Sequence, residues 1–281
     1  MEQTNKAPNN YPPFTEFFKM VKPKFIHIAE SFAESLGREP QWEDMTNPNI
    51  QMWRMKLLER ISPNTAKMYI AVLLSVLNQV KDDIDIQFTN YKSVRVKKEA
   101  STFVYLTDKD LEAFSAVRTK NDRERFAKAL FLTQAFTGAR YSDAINFDLN
   151  NVTDGQLVYV TEKTGVSCSV PLKPILNELI PQIKLVKMSK VAYYKQIKRL
   201  SFKAGIRDDV KIYQSGKAFV KKKYECITSH TARRSFATNL YLLGADLLTI
   251  SKFMGHSTTE MTTRYIWGYK PMDAKLNKFF E

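Results

Sequence analysis

Apolar residues return at every third or fourth position through most of this chain, the period of a helix with one buried face. Phe25, Ile28, Ala29, Phe32 and Leu36 form the first such stripe, and Gly37 is placed to end it. A second helix is expected over residues 48–60, with Ile50, Trp53 and Leu57 turned inward. Ser62 and Pro63 then supply the N-cap and first residue of a third, whose stripe runs Tyr69, Val72, Leu73, Val76, Leu77 and Val80. After a polar, proline-containing lead, these elements predict a small all-α domain over residues 14–90.

The stripe stops at residues 91–102, where Lys92, Arg95, Lys97 and Lys98 stand without an apolar period, so this segment reads as a basic linker. A second domain is expected over residues 103–281. Thr107 and Asp110 form a capping box ahead of Leu111 and Phe114, and a longer helix over 123–136 stops at Gly138. The period then changes to two: residues 157–161 and 166–170 alternate around Glu162-Lys163-Thr164-Gly165, which predicts a β-hairpin with Val166, Cys168 and Val170 on one face. A basic helix over 193–204 carries Lys195, Lys198, Arg199 and Lys203, and Lys217 and Lys221 to Lys223 follow among Tyr213, Phe219 and Tyr224.

From Ser229 a helix with Phe236, Ala237, Leu240 and Leu243 as its stripe runs to Gly244. A short helix over 247–254 ends at Gly255, and Ser257 with Glu260 reads as the capping box of another, which carries Tyr265. Leu276, Phe279 and Phe280 mark a short terminal helix that cannot bury three large groups alone, so it docks on its own domain or on a neighbour. The fold class is therefore mainly α with a small β-hairpin or sheet, in two domains.

Composition narrows the partners. A formal charge of +14 and a pI near 9.6 draw a protein to a polyanion. The 44% hydrophobic and 26% charged fractions are those of a globular protein. Cys168 and Cys226 are the only cysteines and form no C-x-x-C, and the histidines are His27, His230 and His256, so neither a disulfide scaffold nor a zinc site is expected. No membrane span or apolar leader is legible, and a cytoplasmic protein is expected.

The polar residues of the last stretch suit phosphate chemistry. His230 and Arg233 stand three apart, His256 follows the Gly255 stop, and Tyr265 comes nine residues later. Upstream, Arg140 lies just past the Gly138 stop. Asp143, three residues on, either orients Arg140 or another side chain or makes a plain ion pair. A cation, two imidazoles and a phenol in one place can grip a phosphate, move protons and attack phosphorus. Lys163, at a hairpin tip, is by itself an ordinary solubility device.

The ordered set resembles the signature of the tyrosine recombinases (phage-integrase family). Thr137-Gly138-Ala139-Arg140-Tyr141-Ser142-Asp143 is similar to that family's T-G-x-R-x-S-[E/D] box. Glu162-Lys163-Thr164-Gly165 fits its hairpin lysine, and His230, Arg233, Gly255-His256 and Tyr265 fit its H-x-x-R, GH and tyrosine boxes. The resemblance implies a helical, SAM-like core-binding domain at 14–90, matched loosely through Ser62 to Thr65. It also implies an α/β catalytic domain at 103–281. Tyr265 would form a 3′-phosphotyrosine, with Arg140 and Arg233 stabilising the transition state. His230 would serve as base, His256 as donor to a non-bridging oxygen and Lys163 as acid, with Asp143 in support. No cofactor, metal or ATP is implied. The implied partners are double-stranded recombination sites, bound by a homotetramer whose terminal helix docks on a neighbour. Lys92, Arg95, Lys97, Lys98, Lys198, Arg199 and Arg234 are the candidates for contact with the DNA backbone. Tyr269 falls outside the family spacing and is not expected to be the nucleophile. A type IB topoisomerase, of similar chemistry, and a non-catalytic DNA-binding protein of this fold are the rival readings.

Overall fold

The computed structural model describes residues 11–84, 86, 88, 92–97, 99, 103–214 and 217–266. Lys98, Tyr269, Leu276, Phe279 and Phe280 lie outside the described residues. The chain divides into two compact units, Met1–Ser101 with Tyr213–Ala218, and Thr102–Ile212 with Phe219–Glu281.

The first unit is helical: α1 (Phe14–Val21), α2 (Ile26–Leu36), α3 (Asn47–Arg60) and α4 (Pro63–Val80). Gly37 ends α2 in the left-handed conformation, and the Ser62 hydroxyl caps α4 by accepting from the Thr65 amide. Phe14, Phe18, Phe32, Trp53, Leu73 and Leu77 fill the core, with the Phe32 and Trp53 rings 5.5 Å apart edge to face. The buried face of α4 is rotated from the expected stripe: Ala66 and Ile70 are buried, whereas Tyr69 and Val72 are only half covered. The segment expected as a solvated linker also differs. Val94 and Val96 are buried in this core, Lys92, Arg95 and Lys97 point to solvent, and the Asn64 side chain holds both backbone groups of Glu99.

The second unit is built on α6. It comprises α5 (Asp108–Ala116), α6 (Asp122–Thr137), α7 (Tyr141–Ala144), strands β1 (Val152–Thr153), β2 (Gln156–Val160) and β3 (Ser167–Pro171), α8 (Leu176–Gln182), α9 (Lys190–Lys203), the parts of strands β4 (Asp209–Gln214) and β5 (Lys217–Lys222) outside Tyr213–Ala218, then α10 (Ser229–Leu242), α11 (Leu247–Met254) and α12 (Thr259–Ile266). Nearly every residue of α6 from Phe126 to Ala135 is buried, because α8, α9 and α10 pack around it. Strands β1, β2 and β3 form an antiparallel sheet, with Leu157 opposite Val170 and Tyr159 opposite Cys168 on the buried face. Cys168 is thus a core residue. The β4–β5 hairpin is an element the apolar pattern did not announce.

Helix α10 buries more than its apolar stripe. Ser235 accepts from the Leu106 amide at 2.8 Å, and Asn239 donates to the Leu106 carbonyl at 3.1 Å, so polar residues hold the chain that enters the unit. Leu243, expected inward, is 76% exposed where the helix ends. The start of α12 also differs from expectation. The Met261 amide is held by the carbonyl and hydroxyl of Thr258, one residue beyond Ser257, and Glu260 pairs with Arg264 at 3.2 Å rather than closing a box. No helix of the described residues is long and apolar enough to cross a membrane.

Candidate active site

The site forms where the ends of α6 and α11 meet α10. Gly138 ends α6 at φ +68°, and a Cβ there would stand 2.5 Å from the Phe236 ring of α10. Only glycine permits that approach in that conformation. The box after it is fixed locally: the Thr137 hydroxyl donates to the Thr133 carbonyl and accepts from the Ala139 amide. Arg140 follows as the residue preceding α7, half-buried.

Arg233 reaches the same place from the inner face of α10. It is 1% exposed and donates to the Gly138 carbonyl and, at 3.0 Å, to the Met254 carbonyl at the end of α11. Burial lowers its pKa, the Tyr265 phenol opposes that shift, and the charge of Arg140 adds to it, so Arg233 lies in the field of the second guanidinium. Arginine remains protonated regardless. None of the ion pairs among the described residues includes Arg140 or Arg233. A buried Nη1 of Arg140 and the Nε of Arg233 have no hydrogen-bond partner among those residues. A buried guanidinium and a half-buried one, neither in an ion pair among the described residues, make a site for an anion.

His256 is 7% exposed and sits between Arg233 and α12. Its Nε2 lies 2.8 Å from Arg233 Nη2 and its Nδ1 2.9 Å from the Thr262 hydroxyl. Arginine only donates, so Nε2 accepts and the proton resides on Nδ1. Burial, then the charges of Arg233 and Arg140, push its pKa down to about 3. The ring expected to donate to an anion is here a neutral acceptor that orients Arg233. Gly255 before it, at φ +60°, is as constrained as Gly138: a Cβ would stand 2.7 Å from both Cys168 Sγ and Thr161 Cγ2.

Tyr265 completes the cluster from α12. Its ring lies 5.1 Å from the His256 ring, and the Arg233 guanidinium is 5.4 Å from its centroid. Thr238 of α10 donates to the Tyr265 carbonyl, and Thr262 and Ile266 are buried on either side, so α12 is fixed by its inner face. Burial lowers the pKa of Arg234, against the opposing Tyr265 phenol, and its guanidinium lies 5.1 Å over the Phe103 ring.

His230 and Arg233 do not share an environment, although three residues separate them. His230 opens to solvent in the first turn of α10, while Arg233 is buried. The protein packed about the His230 ring lowers its pKa, as do the charges of Arg234, Arg233, Lys190 and Arg140, which keeps the imidazole neutral. Lys190 was not singled out by the sequence. It starts α9 with its ammonium 5.3 Å over the Tyr141 ring, and its position at a helix start carries no spacing signal.

Asp143 is in none of the ion pairs among the described residues. It is buried, and its Oδ1 accepts from the Glu162 amide at 2.9 Å, which ties the β2–β3 turn to the start of α7. Lys163 is exposed on that turn, so the main chain of the lysine is fixed while its side chain stands in solvent. Of the backbone-contact candidates, Lys92, Arg95 and Lys97 are exposed and Lys198 is half-buried. Arg199 has a carboxylate neighbour, with Nε 3.9 Å from the buried Glu124, which Lys203 holds at 2.8 Å.

The integrase of Escherichia phage P2 is 25% identical over 171 residues, 61% of this chain and 45% of the phage protein. Tyrosine recombinase XerC of Rickettsia canadensis is 28% identical over 171 residues, covering 58% of this chain and 52% of its own. The chain thus spans about half the length of these two relatives. The solved structure of a lambda integrase (75-356) dimer bound to a COC′ core site superposes with a TM-score of 0.66 at 16% identity, over 92% of this chain and 97% of that one, a likeness of fold. The model of the phage integrase family matches residues 104–270, which hold Arg140, Lys163, His230, Arg233, His256 and Tyr265, and the chain belongs to that family.

Proposed function

We propose that this chain is a site-specific DNA recombinase that cleaves and rejoins DNA through a 3′-phosphotyrosine on Tyr265, without metal or ATP. The observation that carries this reading is the buried Arg233 beside the Tyr265 ring and in the field of Arg140, with neither guanidinium paired with a carboxylate among the described residues. The Tyr265 phenol oxygen attacks the scissile phosphorus, forming the O–P bond as the bond to the 5′-oxygen breaks. The phenolic proton passes to neutral His230, and Lys163 supplies a proton to the leaving 5′-oxygen. Arg140 and Arg233 meet the charge that grows on the non-bridging oxygens. His256, holding Arg233 by Nε2, keeps that guanidinium aimed. The phosphodiester energy is retained in the phosphotyrosine, so attack by a 5′-hydroxyl reverses the step.

Family membership supports duplex recombination sites as the substrate and a homotetramer as the working assembly, with residues 14–90 as a core-binding domain and 103–281 as the catalytic one. The terminal apolar residues Leu276, Phe279 and Phe280 would dock on a neighbour in that assembly. A duplex nicked beside the scissile bond tests the reading. Wild type is expected to accumulate covalent protein–DNA adduct and Tyr265→Phe to form none. Adduct from Tyr265→Phe refutes the assignment.

A further inference from the structure

One buried threonine builds the turn that carries Lys163. Thr161, 1% exposed, follows β2 directly. Its hydroxyl accepts from the Val166 amide at 3.0 Å and pairs with the Thr164 hydroxyl at 2.7 Å. Its amide donates to the Val166 carbonyl, and its carbonyl accepts from the Gly165 amide, each at 2.9 Å. The polar groups of one residue therefore close the turn on both sides of the lysine. Its methyl faces the other way. The 2.7 Å that would separate Thr161 Cγ2 from a Cβ on Gly255 places that methyl against the backbone just before His256. Valine has the methyl without the hydroxyl, and serine the hydroxyl without the methyl.

We propose that Thr161 is a positioning residue for strand cleavage. It fixes the Lys163 turn to the Gly255–His256 segment, so that the ammonium meets the leaving oxygen at the phosphate held by Arg140 and Arg233. This rests on reading Lys163 as the acid. A flexible four-carbon stem on an exposed turn delivers a proton efficiently only if its main chain is held in register with the phosphate. Asp143, bound to the Glu162 amide, is the second tether of the same turn.

The test compares two nicked duplexes, one with the normal oxygen and one with sulfur at the 5′-bridging position of the scissile phosphate. A thiolate leaves without a proton, its conjugate acid having a pKa of about 8.5. Thr161→Val is expected to cleave the oxygen substrate about tenfold slowly and the sulfur substrate near the wild-type rate, with unchanged DNA affinity. Thr161→Ser, which keeps the hydroxyl bonds of the turn but loses the methyl against Gly255, is expected to be about threefold slow on the oxygen substrate and near the wild-type rate on the sulfur one. Thr164→Val removes the hydroxyl partner at an exposed position that does not threaten folding, and is expected to show the same sulfur-restored defect at about threefold.

Lys163→Ala read alongside separates the two ideas. If sulfur does not restore it, the acid reading falls and this proposal falls with it. If sulfur restores Lys163→Ala while the threonine variants are equally slow on both substrates, or cleave oxygen at the wild-type rate, the positioning role alone is refuted.

Discussion

Arg233 makes contacts that only a guanidinium can make together: one nitrogen to the Gly138 carbonyl, the other to the Met254 carbonyl and His256 Nε2. Arg233→Lys is therefore expected to lower the rate of adduct formation by about a hundredfold or more with little change in DNA affinity, as rapid-quench and binding measurements on one duplex will show. The neutral state of His256 has its own consequence. A histidine whose folded pKa is depressed to about 3 gives stability that is complete above its unfolded value and is lost as pH falls toward the folded one. His230 acts in the same direction. Thermal stability is expected to fall as pH drops from 6.5 to about 4.5, above the range of ordinary carboxylates, and His256→Gln to flatten that slope. The residues of the cluster were legible in the sequence through their order and spacing. Their protonation and partners were not, because Thr262, Met254 and Glu162 reach them from other elements. Nothing in the spacing of Asp143 from Arg140 shows that its partner is an amide nineteen residues on.

Among the elements, α6 and α10 set the distance between the two arginines, and Gly138 is where they touch. Gly138→Ala brings a Cβ 2.5 Å from Phe236 in a left-handed backbone conformation. It is expected to destabilise the fold by about 3 kcal/mol, measured by denaturant unfolding, and to abolish cleavage with it. Helices whose apolar stripe is long were readable to within a few residues, as α4 and α6 show. The failures share a cause. Val94 and Val96 are two positions, too few to make a period, and β5 exposes Phe219 and Val220 beside Lys221 and Lys222, so these apolar residues mark no buried face. The start of α12 was misplaced by one residue because Ser257 and Thr258 are both good caps, and only the contact to Met261 chooses between them.

At the scale of the whole molecule, the charge of +14 and the pair of arginines suit the proposed contact with DNA phosphates. Binding is expected to weaken steeply between 50 and 200 mM salt, roughly a thousandfold or more if six or more phosphates are neutralised, in a titration at fixed pH. With arginines performing the charge neutralisation, the cleavage rate is expected to be the same in EDTA as in magnesium. The central claim is that one phenol, held beside Arg233 and His256, becomes covalently joined to DNA. Trypsin, which leaves the Lys270–Pro271 bond intact, cuts the adduct to a peptide, residues 265–275, that contains both Tyr265 and Tyr269. Fragmentation of that peptide by mass spectrometry is predicted to place the nucleotide on Tyr265, and a nucleotide found on Tyr269, or on no tyrosine, would contradict the account.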